Sequence, residues 1–150
     1  MTQRYFIELS FKGTNYHGWQ IQKNAHSVQQ ELNEALSVLL NQKIETLGCG
    51  RTDTGVHAKQ FFAHFDVKTE LSRKDAKFAK EYNPEKSEVP FCSDNPHSPL
   101  PTDFLYHLNC LLSFDISIKR IFPVANDANA RFDATSRTYQ YILYNEKNPF

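Results

Sequence analysis

Gly50-Arg51-Thr52-Asp53-Thr54-Gly55-Val56-His57 stands between two stretches of different character. Before it, Lys43 to Gly50 reads as a strand, and after it Gln60-Phe-Phe-Ala-His-Phe-Asp-Val67 reads as another. A polar octet between two β-like runs is a connection, and its glycines mark where the backbone turns sharply. Asp53-Thr54-Gly55 sets a carboxylate beside a residue free to take positive φ, so a tight turn can present that carboxylate. Taken alone, Asp-x-Gly is an Asx-type turn joining two strands. An aspartic protease uses two such loops around one shared proton, with one carboxyl kept neutral. The flanks speak against that here. They are polar on the upstream side, and in an extended segment Arg51 lies on the same side as Asp53, where it would hold the carboxylate ionised.

Outward from the octet, elements of both kinds appear. Arg4 to Phe11 alternates, with Tyr5, Ile7, Leu9 and Phe11 on one side, which is a strand pattern. Gly13 to Gln20 is a loop rich in glycine and aromatics. Ser27 is suited to cap a helix, with Gln30 three residues on completing a capping box. Val28, Leu32, Ala35, Leu36, Leu39 and Leu40 then fall on one face, predicting a helix over 28–41. A further helix is expected to start near Ser72. Residues 82–101 hold five of the seven prolines and little periodicity, so an irregular, mobile insertion is expected over about 79–101. Asp103 to Leu112 resumes a helical pattern, Ile116 to Val124 reads as a strand, 125–135 as a connection and 138–144 as a last strand. Interspersed helices and strands predict one α+β domain over 1–150, with a mixed, mainly antiparallel sheet and helices on one face.

Composition narrows the function classes only a little. The 17 basic and 17 acidic residues cancel, which gives no electrostatic sign of a nucleic-acid partner. The acidic surplus lies in residues 66–103, largely in the expected insertion. Cys49, Cys92 and Cys110 form no C-x-x-C pair and the histidines lack ligand spacing, so free thiols in a reducing cytoplasm and no metal are expected. The N-terminus has no apolar signal core and no apolar run reaches membrane-span length. The final strand pattern runs straight into Asn145-Glu-Lys-Asn-Pro-Phe150, which reads as a cut in a longer chain.

Four stretches in order carry a more specific reading. Gly50-Arg-Thr-Asp-Thr-Gly-Val-His57 resembles the G-R-T-D-x-G-V-H motif of the tRNA pseudouridine synthase A family. Gly13-Thr-Asn-Tyr-His-Gly-Trp-Gln20 resembles that family's first loop, and Ser27-Val-Gln29 with Leu32, Ala35 and Leu36 its first helix. Ala130-Arg-Phe-Asp-Ala-Thr-Ser-Arg-Thr-Tyr-Gln-Tyr141 resembles its A-R-F-x-A-x-x-R-x-Y-x-Y segment. Lys12 departs from the pattern, standing where the family commonly has an acid before glycine. The resemblance implies the N-terminal half of a pseudouridine synthase fold, with a second half that completes the sheet and site. Residues 1–150 alone are then expected to fold but not to catalyse.

The resemblance further implies isomerisation of uridine in the anticodon stem-loop of tRNA, by a homodimer and without a cofactor. Asp53 is the implied catalytic carboxylate, and an aspartate at its reference pKa of about 4 is ionised at pH 7. Arg51 is the candidate to support the extruded base, or to pair with phosphate. His57 is a candidate turn or phosphate-contact residue. By spacing Tyr139 and Tyr141 are equivalent; the resemblance selects Tyr139 to pack on the target base. Tyr16 and Trp19 are expected to be structural. The competing class is a non-catalytic RNA-binding α+β module. Against it, Phe61 and Phe62 are adjacent and face opposite sides, so they offer no paired stacking platform.

Overall fold

The computed structural model describes residues 2–68, 100–101, 103–143 and 145–147. Its sheet has four strands, β1 (Thr2–Phe11), β2 (Leu47–Gly48), β3 (Ala58–Lys68) and β4 (Ile116–Val124), in the order β2-β3-β1-β4. All pairings are antiparallel among the described residues, in line with the mainly antiparallel sheet expected. Two helices accompany it, α1 (Val28–Leu40) and α2 (Phe104–Leu111). The helix expected near Ser72 and nearly all of the Pro-rich stretch lie outside the described residues.

One face of the sheet is the core. The period of two sends Tyr5, Ile7, Leu9 and Phe11 of β1 inward, beside Phe61, Ala63, Phe65 and Val67 of β3 and Ile116 and Ile118 of β4. Val28, Leu32 and Leu36 of α1 and Phe104 and Leu108 of α2 close over them. Burying side chains of this size stabilises by about 1.5–3 kcal/mol each. Leu108 and Leu112 take the inward positions at the end of α2, and Leu111 is half exposed. Asn109 holds the outer edge of β4: its Oδ1 accepts the Ile118 N–H at 2.8 Å, and its Nδ2 donates to the Ile118 carbonyl at 3.0 Å.

Three local expectations are corrected. Ser27 does cap α1, its hydroxyl accepting the Gln30 N–H at 3.3 Å, but Gln30 does not reach back to complete a box. Its amide donates to Glu34 instead, and the first free N–H groups of α1, from Val28 and Gln29, go to the Gly18 and Trp19 carbonyls. The strand expected over 43–50 contracts to two residues. Polar side chains of α1 take the backbone before it: Ser37 Oγ accepts the Ile44 N–H, Asn33 Oδ1 accepts the Thr46 N–H, and Gln29 Nε2 donates to the Thr46 carbonyl. Residues 138–143 form no strand. They alternate correctly, but the described residues pair no ladder with them, and Tyr139, Tyr141, Ile142 and Leu143 stay exposed.

Candidate active site

The Asp53 turn is built by two loops locking together. Val56 N–H donates to the Asp53 carbonyl at 3.2 Å, and Gly55 takes φ +81°, the left-handed backbone expected of the glycine beside this aspartate. The loop at 13–20 then grips the turn along its length. Trp19 N–H donates to the Thr52 hydroxyl at 3.0 Å and lies 3.3 Å from the Thr52 carbonyl. Gly55 N–H donates to the Tyr16 carbonyl at 3.2 Å, and Gly13 N–H donates to His57 Nδ1 at 2.9 Å. Gly18, at φ +86°, lies so close that a Cβ there would overlap the Thr52 carbonyl oxygen. Trp19 fastens the gripping loop to the core, with its ring 4.4 Å from that of Phe61.

The Asp53 side chain is the part left over. It is exposed, and no side chain or N–H among the described residues bonds its carboxylate. A carboxylate on a turn tied to the 13–20 loop at Thr52, Gly55 and His57, yet itself unspent among the described residues, is open to a ligand. Arg51 is likewise exposed and forms no ion pair with Asp53 among the described residues. The expectation that the two share one side therefore does not become a contact. His57, the candidate turn or phosphate-contact residue, is tied to the gripping loop through its ring. Nδ1 accepts from Gly13, which leaves its proton on Nε2 when the ring is neutral.

Tyr139 comes from a separate segment that crosses the second face of the sheet. That face carries the cross-strand pair Arg4–Asp66, bonded at 2.7 and 2.8 Å, and Glu8 with Arg120 at 2.6 Å. A hydrogen bond from Gln60, and then the Arg120 guanidinium, hold the Glu8 carboxyl below its usual range against the opposing effect of burial. After β4 the chain runs back over this face. Arg4 Nη1 donates to the Ala128 carbonyl at 2.9 Å, and Ala130 N–H donates to His64 Nδ1 at 3.1 Å. Arg137 then reaches the far side, donating to the Cys49 carbonyl from Nε at 2.9 Å and Nη2 at 2.7 Å. The strap thus crosses β1 and β3 and lands next to Gly50. Tyr139 follows two residues later, 63% exposed and without a ring partner among the described residues.

Asp53, Arg51 and His57 therefore share one loop, and Arg137 brings the segment bearing Tyr139 to the start of that loop. Arg137 and Thr52 are the residues that sequence reasoning missed as builders of the site. Arg137 stood inside the fourth family-like stretch, and that was its only signal. Tyr16 and Trp19 are buried, as a structural role requires.

No family model matches the chain. It is 44% identical over 148 residues to the tRNA pseudouridine synthase A of Bacteroides thetaiotaomicron, covering 99% of this chain and 45% of that protein. It is 40% identical over 148 residues to that of Parabacteroides distasonis, covering 99% and 48%. For that of Colwellia psychrerythraea the figures are 36% over 143 residues, 95% and 44%. The chain spans about half the length of the curated relatives it matches. Nearly the whole of this chain thus aligns, at these identities, with a portion of proteins named tRNA pseudouridine synthase A.

Proposed function

We propose that this chain is the part of a tRNA pseudouridine synthase that supplies the reacting carboxylate, Asp53. The observation that carries the reading is a turn held by the 13–20 loop that leaves the Asp53 carboxylate exposed and without a partner among the described residues, in a chain related to proteins named tRNA pseudouridine synthase A.

The reaction breaks the N1–C1′ bond of uridine, turns the base and joins C5 to C1′. Atoms and electrons balance without a redox partner. Positive character develops at C1′ as the bond breaks, as it does in glycoside hydrolysis, so one ionised carboxylate has a direct use. It can attack the sugar or the base, or take a ribose proton. The target base must leave its stack, at about a few kcal/mol. In this reading Arg51, exposed and two residues before Asp53, fills the vacated space or meets a phosphate. Tyr139 presents a ring for the extruded base, and base–aromatic stacking contributes about 1–3 kcal/mol. His57 Nε2 adds a donor for a phosphate oxygen. The proposal extends to the anticodon stem-loop as target, a homodimer as the working form and the cytoplasm as the location. It also assigns the wall opposite Asp53 to the part of the relatives' length that lies outside the region matched by these residues.

The experiment is tritium release from C5-labelled uridine in tRNA, with the full-length protein carrying Asp53→Asn or Asp53→Ala. Turnover should vanish while tRNA affinity stays within a few-fold. Retained turnover in Asp53→Ala overturns the assignment. Binding without tritium release in the unsubstituted full-length protein would make it an RNA-binding module instead.

A further inference from the structure

The loop that grips the Asp53 turn is itself held by side chains that lie away from the carboxylate. Tyr16, whose carbonyl takes the Gly55 N–H, has its ring 3% exposed. Its hydroxyl lies 2.8 Å from Glu31 Oε2 and 2.7 Å from Ser113 Oγ. Glu31 Oε1 accepts the Ser113 N–H at 2.8 Å, so the carboxylate joins α1 to the connection before β4. His26 stacks on the Tyr16 ring at 5.2 Å, and its Nε2 is 3.2 Å from Glu31 Oε2. On the other side of the loop, Asn15 Nδ2 donates to Asp115 Oδ2 at 2.7 Å.

The chemistry of the clamp is defined. Burial pushes the Tyr16 phenol up to about 12, so it is neutral at physiological pH. Burial acts to raise the Glu31 carboxyl as well, but the Ser113 N–H and the Tyr16 hydroxyl outweigh it and leave the group below its usual range. The phenol must then donate to the Glu31 carboxylate, and Ser113 Oγ–H donates to the phenol.

We infer that Tyr16 and Glu31 are positioning residues for Asp53. The clamped phenol fixes the Tyr16 backbone, whose carbonyl fixes Gly55, two residues from the carboxylate. The inference rests on the proposed role of Asp53. Two further attachments, Trp19 to Thr52 and Gly13 to His57, keep the turn on the protein when the clamp is lost. Losing the clamp therefore loosens the placement of the carboxylate without detaching the loop.

The test uses the full-length protein with Tyr16→Phe, Glu31→Ala and Glu31→Gln, alongside Asp53→Ala. The readouts are thermal melting, amide exchange at Gly55, and kcat and KM on tRNA. Tyr16→Phe keeps the ring packing and should stay folded. Gly55 exchange should quicken while the amides of β1 and β3 do not change. A displacement on the order of 1 Å at a reacting group can lower rates by about a hundredfold. The expected fall in kcat is therefore about ten- to a hundredfold, with KM within twofold. Glu31→Gln keeps an oxygen for the Ser113 N–H and should recover part of what Glu31→Ala loses. If Asp53→Ala is inactive while folded Tyr16→Phe keeps wild-type kcat and Gly55 exchange, the positioning role is wrong and the role of Asp53 stands. A kcat that falls only in step with the folded fraction also overturns the positioning role. If Asp53→Ala turns over, both readings fall.

Discussion

The Arg137 guanidinium holds the Cys49 carbonyl with two hydrogen bonds, from Nε at 2.9 Å and Nη2 at 2.7 Å, across 88 residues of sequence. Nη2 also donates to the Arg131 carbonyl at 2.7 Å, so one side chain shapes the strap and ties it to the strand before the Asp53 turn.

Arg137→Lys should therefore act on the segment bearing Tyr139 more than on the fold. A lysine offers a point charge and cannot reproduce the planar two-nitrogen contact. Arg137 is exposed, so the stability cost should be about 1 kcal/mol or less. Amides of residues 131–143 should exchange faster, and affinity for tRNA should drop by part of the roughly 1–3 kcal/mol that a base–aromatic stack supplies. Urea unfolding and a binding titration measure the two effects. A large loss of stability with unchanged tRNA affinity would refute this division.

Local repeats in the sequence disclosed most of the elements. Val28, Leu32 and Leu36 recur at the helical period and all enter the core, so α1 was legible from its own residues. The true length of β2 was not. Thr46 and Ile44 give their backbone groups to Asn33 and Ser37 of α1, and no period within 43–50 contains that competition. The alternation at 138–144 says which side chains would share a face, but whether a neighbouring strand exists is a separate fact. At the site, the contiguous Gly50–His57 octet could be read as a unit. The grip on it could not, because Thr52 meets Trp19, Gly55 meets Tyr16 and Cys49 meets Arg137 only after the chain has folded.

Two glycines separate the backbone cost from the contact cost. Gly18 and Gly55 both adopt left-handed φ, +86° and +81°, so alanine at either carries about 1–2 kcal/mol of strain. At Gly55 an added Cβ meets open space. At Gly18 it overlaps the Thr52 carbonyl, and the Asp53 carbonyl carbon is close behind at 3.3 Å. Gly18→Ala should thus destabilise clearly more than Gly55→Ala in matched urea titrations, and it should also displace the Asp53 turn. Equal costs would mean that the two loops are not pressed together at Gly18.

The strap should also make stability depend on pH through His64. This imidazole is 7% exposed, and its Nδ1 accepts the Ala130 N–H, a bond that requires a lone pair on Nδ1. Burial lowers its pKa first, and the Arg4 charge lowers it further, against weaker opposing effects of Asp66 and Asp133. The unfolded ring titrates near 6.5, so below that pH the unfolded chain binds a proton that the native state refuses. Stability then rises with pH in this window. The His64 contribution is complete above about 6.5 and is lost as pH falls from there through the lower folded pKa. The depressed carboxylates Glu8, Glu31 and Asp66 lose their contributions in a more acid range, below their ordinary values of 4.5, 4.5 and 3.8. Urea unfolding from pH 8 to pH 5 should show a decline in native protein that His64→Gln flattens, since a glutamine oxygen can accept the Ala130 N–H and does not titrate. If the decline were the same in both proteins, His64 would not be its source. Exchange at the Ala130 amide gives the local counterpart, and it should quicken over the same pH interval in the protein with His64 intact.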